Sequence, residues 1–356
     1  MKIGLITIND NNNYGNRLQN YATQEFFHKN YNIDVYTIKN SILLNKNHKD
    51  FKYFIKYIVA NIILLCEKIS MSKRQQYFNK FNKKIKYNNF IINWYRNYKK
   101  VSNSYDAFLV GSDQVWNPYG RMSEVELLAF TDKKKIAFAP SFAVSEIRKK
   151  DKEILQREIN KFDAISVREN EGKKILEEIT TKDIKILVDP TMLLDSTDWD
   201  KIINKPKQLK SDRFILNYFL GNLSTERKKE IERIAKENGC EIINILDKKS
   251  PFYKTGPSEF LYLEKHAFLI CTDSFHSSVF ALLYNKPFIV FEREDKVVNM
   301  NSRLNTLLSK FKLQDRYYKG KITNDLLKAN YEEAYKILKE ERNNSEIFLR
   351  KALEIE

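Results

Sequence analysis

The sequence predicts an α/β protein built as two Rossmann-like domains facing one another across a cleft, with a basic helical insertion in the first. Three observations carry this. Short apolar runs alternate with longer segments of helical period, the pattern of parallel sheets with crossover helices. A chain of 356 residues exceeds what one hydrophobic core usually organises. And a second strand–helix series starts afresh after DPTMLLDSTDWDKI (189–202), where a proline and acidic turns lead into a new helix start. The expected division is therefore 1–195, 196–325 and a charged helical tail, 326–356, returning to the first domain.

In chain order, KIGLITI (2–8) reads as the first strand. RLQNYATQEFF (17–27) follows as a helix, with Leu18, Tyr21, Ala22 and Phe26 on one face. NIDVYTI (32–38) is the second strand. Residues 41–100 form the insertion, expected to be helical, with 14 Lys/Arg against Asp50 and Glu67. AFLVG (107–111), KKIAFAP (134–140), AISV (164–167) and IKILVD (184–189) supply four more strands. The second series runs through RFILNYFL (213–220), an amphipathic helix around 224–238, EIINIL (241–246), AFLIC (267–271), a helix over 275–284 and PFIVF (287–291).

Composition narrows the function classes. No N-terminal stretch has the shape of a signal peptide, because polar residues follow Ile8 too soon. The longest apolar run, 54–66, is interrupted by Lys56 and Asn61 and is too short to span a bilayer. Cys66, Cys240 and Cys271 are far apart and have no metal-ligand spacing, which fits a reducing cytoplasm. The formal charge of +16 is concentrated in 41–100. The plain reading of that segment is a solvated lysine-rich face. The sharper reading is a peripheral contact with the anionic inner face of a membrane, or with a phosphate-bearing lipid-linked substrate. Nucleic acid is not expected, since the interleaved aromatics belong to no nucleic-acid-binding signature. The absence of a Walker loop and of GxGxxG argues against nucleoside triphosphates and dinucleotides.

In open parallel sheets, ligands sit beyond the carboxyl ends of strands, so the strand-to-helix junctions are the candidate sites. At NNNYGNRLQNYA (11–22), Gly15 is expected to permit a tight turn, with Asn13, Asn16 and Arg17 beside a helix N-terminus. At YDAFLVGSDQVWNP (105–118), Ser112, Asp113 and Gln114 stand at a strand end, where they could bind a sugar hydroxyl. Asp113 is a candidate general base, the alternative being a cap. At AISVREN (164–170), Arg168 suits a carboxylate or phosphate, or else a salt bridge with Glu169 or Glu171. At CTDSFHSS (271–278), Thr272, Asp273 and Ser274 are cap residues and His276 falls in the first helical turn, positioned as a general acid. Arg293 and Arg303 are close in sequence to this junction. No cluster suggests a metal.

Together these pieces resemble the polysaccharide pyruvyl transferase family. NYGNRLQNYATQ (13–24), YDAFLVGSDQVWNP, SVRENEG (166–172), VDPTMLL (188–194), GPSEFLYL (256–263), TDSFHSSVFALLYNKPF (272–288) and the NSRLNTLL segment (301–308) keep order and spacing over about residues 1–315. The resemblance implies a GT-B-like fold. It also implies transfer of pyruvate from phosphoenolpyruvate, with no further cofactor, onto two hydroxyls of a sugar in a surface glycan or its lipid-linked precursor. The family's arginine and histidine then fall on Arg168 and His276. Two departures stand out. Many relatives carry Arg-Leu before the histidine and Gly after it, where this chain has Ser274-Phe275 and Ser277; Ala143 stands where relatives often have Gly. Without that arginine the donor needs another cation. A GT-B glycosyltransferase using a nucleotide sugar, and a non-catalytic sugar-binding member of a glycan assembly complex, are the rival expectations.

Overall fold

The structure is a computed structural model that describes residues 1–9, 12–40, 72–92, 98–120, 122–293 and 302–355. Seven parallel strands make the first sheet. The chain runs β1 (Lys2–Ile6), α1 (Tyr14–Tyr31), β2 (Asp34–Asn40), α2 (Lys73–Asn82), β3 (Tyr87–Ile92), α3 (Tyr98–Ser102), β4 (Ala107–Val110) and β5 (Lys134–Ala137). It continues through α4 (Lys149–Ile159), β6 (Ala164–Val167), α5 (Asn170–Glu177) and β7 (Ile184–Ile186). The strand order is β3-β2-β1-β4-β5-β6-β7. After α6 (Ser196–Asp200) come β8 (Phe214–Tyr218), α7 (Thr225–Asn238), β9 (Glu241–Asn244), α8 (Pro257–His266), β10 (Leu269–Thr272), α9 (Phe275–Leu283) and β11 (Phe288–Val290). These four strands pair in parallel in the order β11-β10-β8-β9. The helices α10 (Ser302–Lys310) and α11 (Glu332–Leu353) complete the chain.

Both sheets are read from their middle strands outward. In the first, β1 leads to β2 on one side and β4 leads to β5 on the other, so the order reverses between β1 and β4. In the second, β8 leads to β9 and β10 leads to β11, so the reversal lies between β8 and β10. Each reversal leaves a crevice at the strands' carboxyl ends.

One expectation is corrected. Within the segment expected to be a helical insertion, Tyr87–Ile92 is a sheet strand, pairing in parallel with β2 through Thr37↔Tyr87 and Lys39↔Ile91. Aromatic and β-branched residues fit a pleated, half-buried surface, and four of these six, Tyr87, Phe90, Ile91 and Ile92, outweigh the lysines around them. The fully buried Arg17 joins α1 to this edge, donating to Tyr87 Oη at 2.6 Å and to Ile8 O at 2.6 Å. Of the segment 41–100, where membrane contact was expected, residues 41–71 and 93–97 lie outside the described residues. Among the described residues, no helix is long and apolar enough to cross a membrane.

The sheets share one apolar seam. Tyr14 of α1 stacks on Phe260 of α8 with ring centroids 4.6 Å apart. Trp199 packs between Tyr21 and Phe280. The tail helix α11 crosses back, and Arg342 donates to Met192 O (2.6 Å) and Leu194 O (2.8 Å), carbonyls that follow the first sheet.

Beneath this seam Glu264 of α8 is fully buried, with Oε1 accepting from Ser277 Oγ at 2.6 Å and Oε2 having no hydrogen-bond partner among the described residues. Burial pushes its carboxyl well above the ordinary range, and the serine offsets only part of that. A carboxyl raised in the folded state contributes fully below its unfolded value, near pH 4.3, and its contribution is lost as pH climbs toward the folded value. Glu264→Gln stays neutral and still accepts from Ser277. It is expected to be more stable than the parent by roughly 1–3 kcal/mol at pH 8, with the gain vanishing near pH 4. Urea unfolding midpoints at both pH values check this.

Candidate active site

The two crevices meet. His276, in the first turn of α9, comes from the second sheet and packs against Gly15 of α1. A Cβ built on Gly15 would fall 2.1 Å from His276 Nδ1. This corrects the expected role of Gly15, which lies inside helix α1 rather than in a strained turn. Its missing side chain makes room for an imidazole 261 positions later in the chain.

Around His276 lies a buried network of opposite charges. Asp113 follows β4 and adopts φ 60°, a conformation side chains of its handedness rarely take. It is held there by its partners. Asn16 Nδ2 donates to Oδ2, Arg168 Nη2 to Oδ1 at 3.1 Å, and Arg303 Nη1 lies 3.6 Å from Oδ1. Asp189 is the hub on the other side. Its Oδ2 accepts from Arg168 Nη1 at 2.5 Å and from Ser112 Oγ at 2.8 Å. Its Oδ1 accepts from Thr191 N at 3.0 Å and Thr191 Oγ1 at 2.7 Å. His276 Nε2 lies 3.7 Å from Asp189 Oδ2, within electrostatic reach but too far for a hydrogen bond. Arg168 also lies over the Phe275 ring, 4.3 Å from its centroid.

Burial alone would lift both aspartates. Arg168, His276 and Arg303 outweigh it at Asp113, and His276, Arg168 and the Thr191 amide do so at Asp189, so both carboxyls sit below the ordinary range. Burial works against the Arg168 cation too, but Asp189, Asp113 and Glu169 overcome it and raise its pKa. Arg303 is the exception. Burial, reinforced by repulsion from Arg168, brings it down to about 10 despite Asp113 and Glu169. Glu169 accepts through Oε1 from Ser141 Oγ (2.9 Å), Phe142 N (2.7 Å) and Ala143 N (3.2 Å). Burial still leaves its carboxyl raised.

The remaining sequence candidates fall into place around this network. Gln114, with its amide oxygen toward Arg303, accepts from Nη1 at 2.9 Å and Nη2 at 2.8 Å. Asn13 caps α1, accepting from Asn16 N at 3.2 Å. Ser112 is fully buried and serves Asp189 and Ala139 O. Asp273 caps no helix. It receives Leu220 N and Gly221 N, each at 2.7 Å, and lies 3.2 Å from Arg293 Nε, which ties the loop after β8 to the start of α9. Ser274 is the N-cap position of α9, but its side chain makes no cap bond. Arg17 belongs to the sheet edge and not to this cluster.

Asp189 was read from the sequence only as part of a boundary and a shared motif. Its signal was an acid at the end of an apolar strand, immediately before Pro190. A pocket of about 310 Å³ opens beside Asp113, lined by Asn13, Asn16, Gln114, Asn117 and Tyr119. Asn117 and Tyr119 were likewise not singled out. Their cue was proximity to GSDQ in a polar loop.

A site assembled between the carboxyl ends of two facing parallel sheets defines a GT-B-like protein. The sequence profile described as polysaccharide pyruvyl transferase matches residues 13–295, and the chain belongs to that family. Among solved structures, the chain is similar to UDP-GlcNAc 2-epimerase from Neisseria meningitidis bound to UDP-GlcNAc. That match has 11% identity and a TM-score of 0.50, covering 99% of this chain and 100% of the other. It is also similar to a putative UDP-N-acetylglucosamine 2-epimerase from Listeria monocytogenes (9% identity, TM-score 0.48, 99% and 90% covered). A third match is an uncharacterised protein from Klebsiella pneumoniae (13%, 0.45, 89% and 93%). At 11% identity the likeness to the Neisseria meningitidis enzyme shows the fold alone. No curated protein matches the chain.

Proposed function

We propose that this transferase moves pyruvate from phosphoenolpyruvate onto two hydroxyls of a sugar, closing a cyclic ketal and releasing phosphate. One observation supports this beyond family membership. Three nitrogens of cationic or protonatable side chains, Arg168 Nε, Arg303 Nε and His276 Nε2, are buried in one cluster with no hydrogen-bond partner among the described residues. Unpaired buried polar groups are costly. An anion carrying both carboxylate and phosphate would satisfy them, and its charge would offset the burial and the Arg168 repulsion that depress Arg303. Arg303 is then the cation that serves where Ser274 replaces the family's arginine.

In this reading His276 gives a proton to C3 of the donor, leaving C2 electrophilic. One sugar hydroxyl adds to C2 and a second displaces phosphate. Two C–O bonds form and the C2–O bond to phosphate breaks. Of the two hydroxyl protons, one restores His276 and the other leaves with phosphate. Asp113 is a weak base while Arg168 and Arg303 face it. Donor anions that take up those cations would raise its pKa toward the range a base needs. The polar pocket beside Asp113, with Asn13, Asn16 and Gln114 on its wall, is the proposed seat of the acceptor sugar.

Calorimetric titration of the full chain with phosphoenolpyruvate tests the donor. Arg303→Met is expected to weaken binding by about 10–100-fold, as loss of charge-assisted hydrogen bonds does. Binding of a nucleotide sugar with none of phosphoenolpyruvate would overturn the reading.

A further inference from the structure

A second site lies on the seam, away from the charge network. A pocket of about 500 Å³ is lined by Lys73, Lys80, Lys205, Lys207 and Lys254, with Glu259 its one acidic residue. Three separate chain segments bring these lysines together. Lys73 and Lys80 are on α2, two turns apart and on one face. Lys205 and Lys207 come from the stretch between α6 and β8, and Lys254 from the turn Pro251–Lys254 after β9. The convergence therefore comes from the fold and not from a local run of charge.

Little within the protein offsets the five ammonium groups. Lys205 pairs with the exposed Asp212 at 3.5 Å. The other four form no ion pair among the described residues with a carboxylate closer than 4 Å. Glu259 turns its Oε2 to Gly256 N at 3.1 Å, and burial pushes its carboxyl up rather than down. The walls are closely packed. A Cβ on Gly256 would come within 2.8 Å of Tyr77 Cβ, so the α2 wall and the α8 wall touch backbone to side chain. Thr255, on the same wall, bonds Tyr14 Oη at 3.0 Å, next in sequence to Gly15 of the active site.

We propose that this pocket binds a phosphate or diphosphate group. The five lysines are exposed, and ammonium groups act as compact point charges suited to phosphate oxygens. The source is either a phosphate ester in solution or a headgroup at a lipid surface. The proposal stands apart from the pyruvyl-transfer reading, because it uses none of its residues.

Isothermal titration of the full chain with inorganic pyrophosphate uses an Arg303→Met background, which lowers competing binding at the active-site cluster, and the lysine variants below report the pocket's share. The double variant Lys80→Gln/Lys254→Gln is expected to bind about tenfold more weakly. Lys229→Gln/Lys236→Gln, which removes the same charge from the exposed face of α7, is expected to bind unchanged. No pyrophosphate binding, no loss in the pocket variant, or equal loss in both pairs overturns the proposal. Cosedimentation with phosphatidylcholine vesicles carrying about one-fifth phosphatidic acid then separates the sources. Pocket-dependent recruitment assigns a lipid headgroup, and pyrophosphate binding without recruitment assigns a soluble ester. Phosphoenolpyruvate affinity of the lysine variants, measured with Arg303 intact, should stay at the parent value, so the two hypotheses fail separately.

Discussion

Replacing His276 with Gln is expected to lower pyruvyl transfer by about 10²–10⁴-fold, the range a general acid contributes, while the protein remains folded. Glutamine is close to histidine in size and fits the space beside Gly15, so the first turn of α9 should persist. It cannot deliver a proton. The measurement is acceptor-dependent phosphate release, with circular dichroism to confirm folding. Running the parent in deuterium oxide adds a chemical check, because one solvent deuteron should appear in the product's methyl group. Near-parental turnover in the folded variant would sink the assignment of His276.

The second large effect is expected at Asp189. This carboxylate is fully buried and accepts from Arg168, Ser112 and both donors of Thr191. Asp189→Asn keeps the shape but removes the charge, and it turns an amide N–H toward donors. Breaking a buried ion pair by removing one partner costs about 3–5 kcal/mol. Asp113, already shared with Arg303, offsets little of that. Because the Asp189 carboxyl is held below its ordinary value, its stabilising contribution is complete above the unfolded value near pH 3.9 and is lost as pH falls through the folded value. The gap between parent and variant should therefore be constant from pH 6 to 8 and narrow below about pH 4. A variant within about 1 kcal/mol of the parent at pH 7 would show that Asp189 is not the hub described.

How far the sequence could be read follows from what is local. Strands β1, β4 and β8 to β11 are short apolar runs with polar ends, and the alternation with helices is visible in one dimension. The junction residues Asp113, Arg168 and His276 were legible because strand ends in parallel sheets must face a common side. What the sequence left unranked or missed depends on distant partners. Arg17 and Arg303 both sit near helix starts, yet one is committed to Tyr87 Oη and Ile8 O while the other faces Asp113 and keeps an Nε with no partner among the described residues. Nothing within ten residues of either separates them. Asp189 looked like a turn-forming acid before proline, and only burial against Arg168 gives it weight. The strand β3 was hidden by the lysines around it, since solvated charges on flanking residues do not prevent pairing of the residues between them. Ala143 has φ 56°, the left-handed region where glycine is at ease, a backbone setting that the sequence around it does not announce.

The contact between Gly15 and His276 has a consequence for how such proteins can be recombined. The imidazole belongs to one half of the chain and the space it fills belongs to the other, so neither half builds this contact by itself. A chimera joining the first half of this chain to the second half of a relative would assemble only where the incoming residue suits the hollow at position 15. A donor half with a bulkier group at position 276 would wedge the halves apart, however well each folds. Positions 15 and 276 therefore form a compatibility code across the seam, and exchange of halves between relatives should succeed or fail on that pair before any substrate is bound.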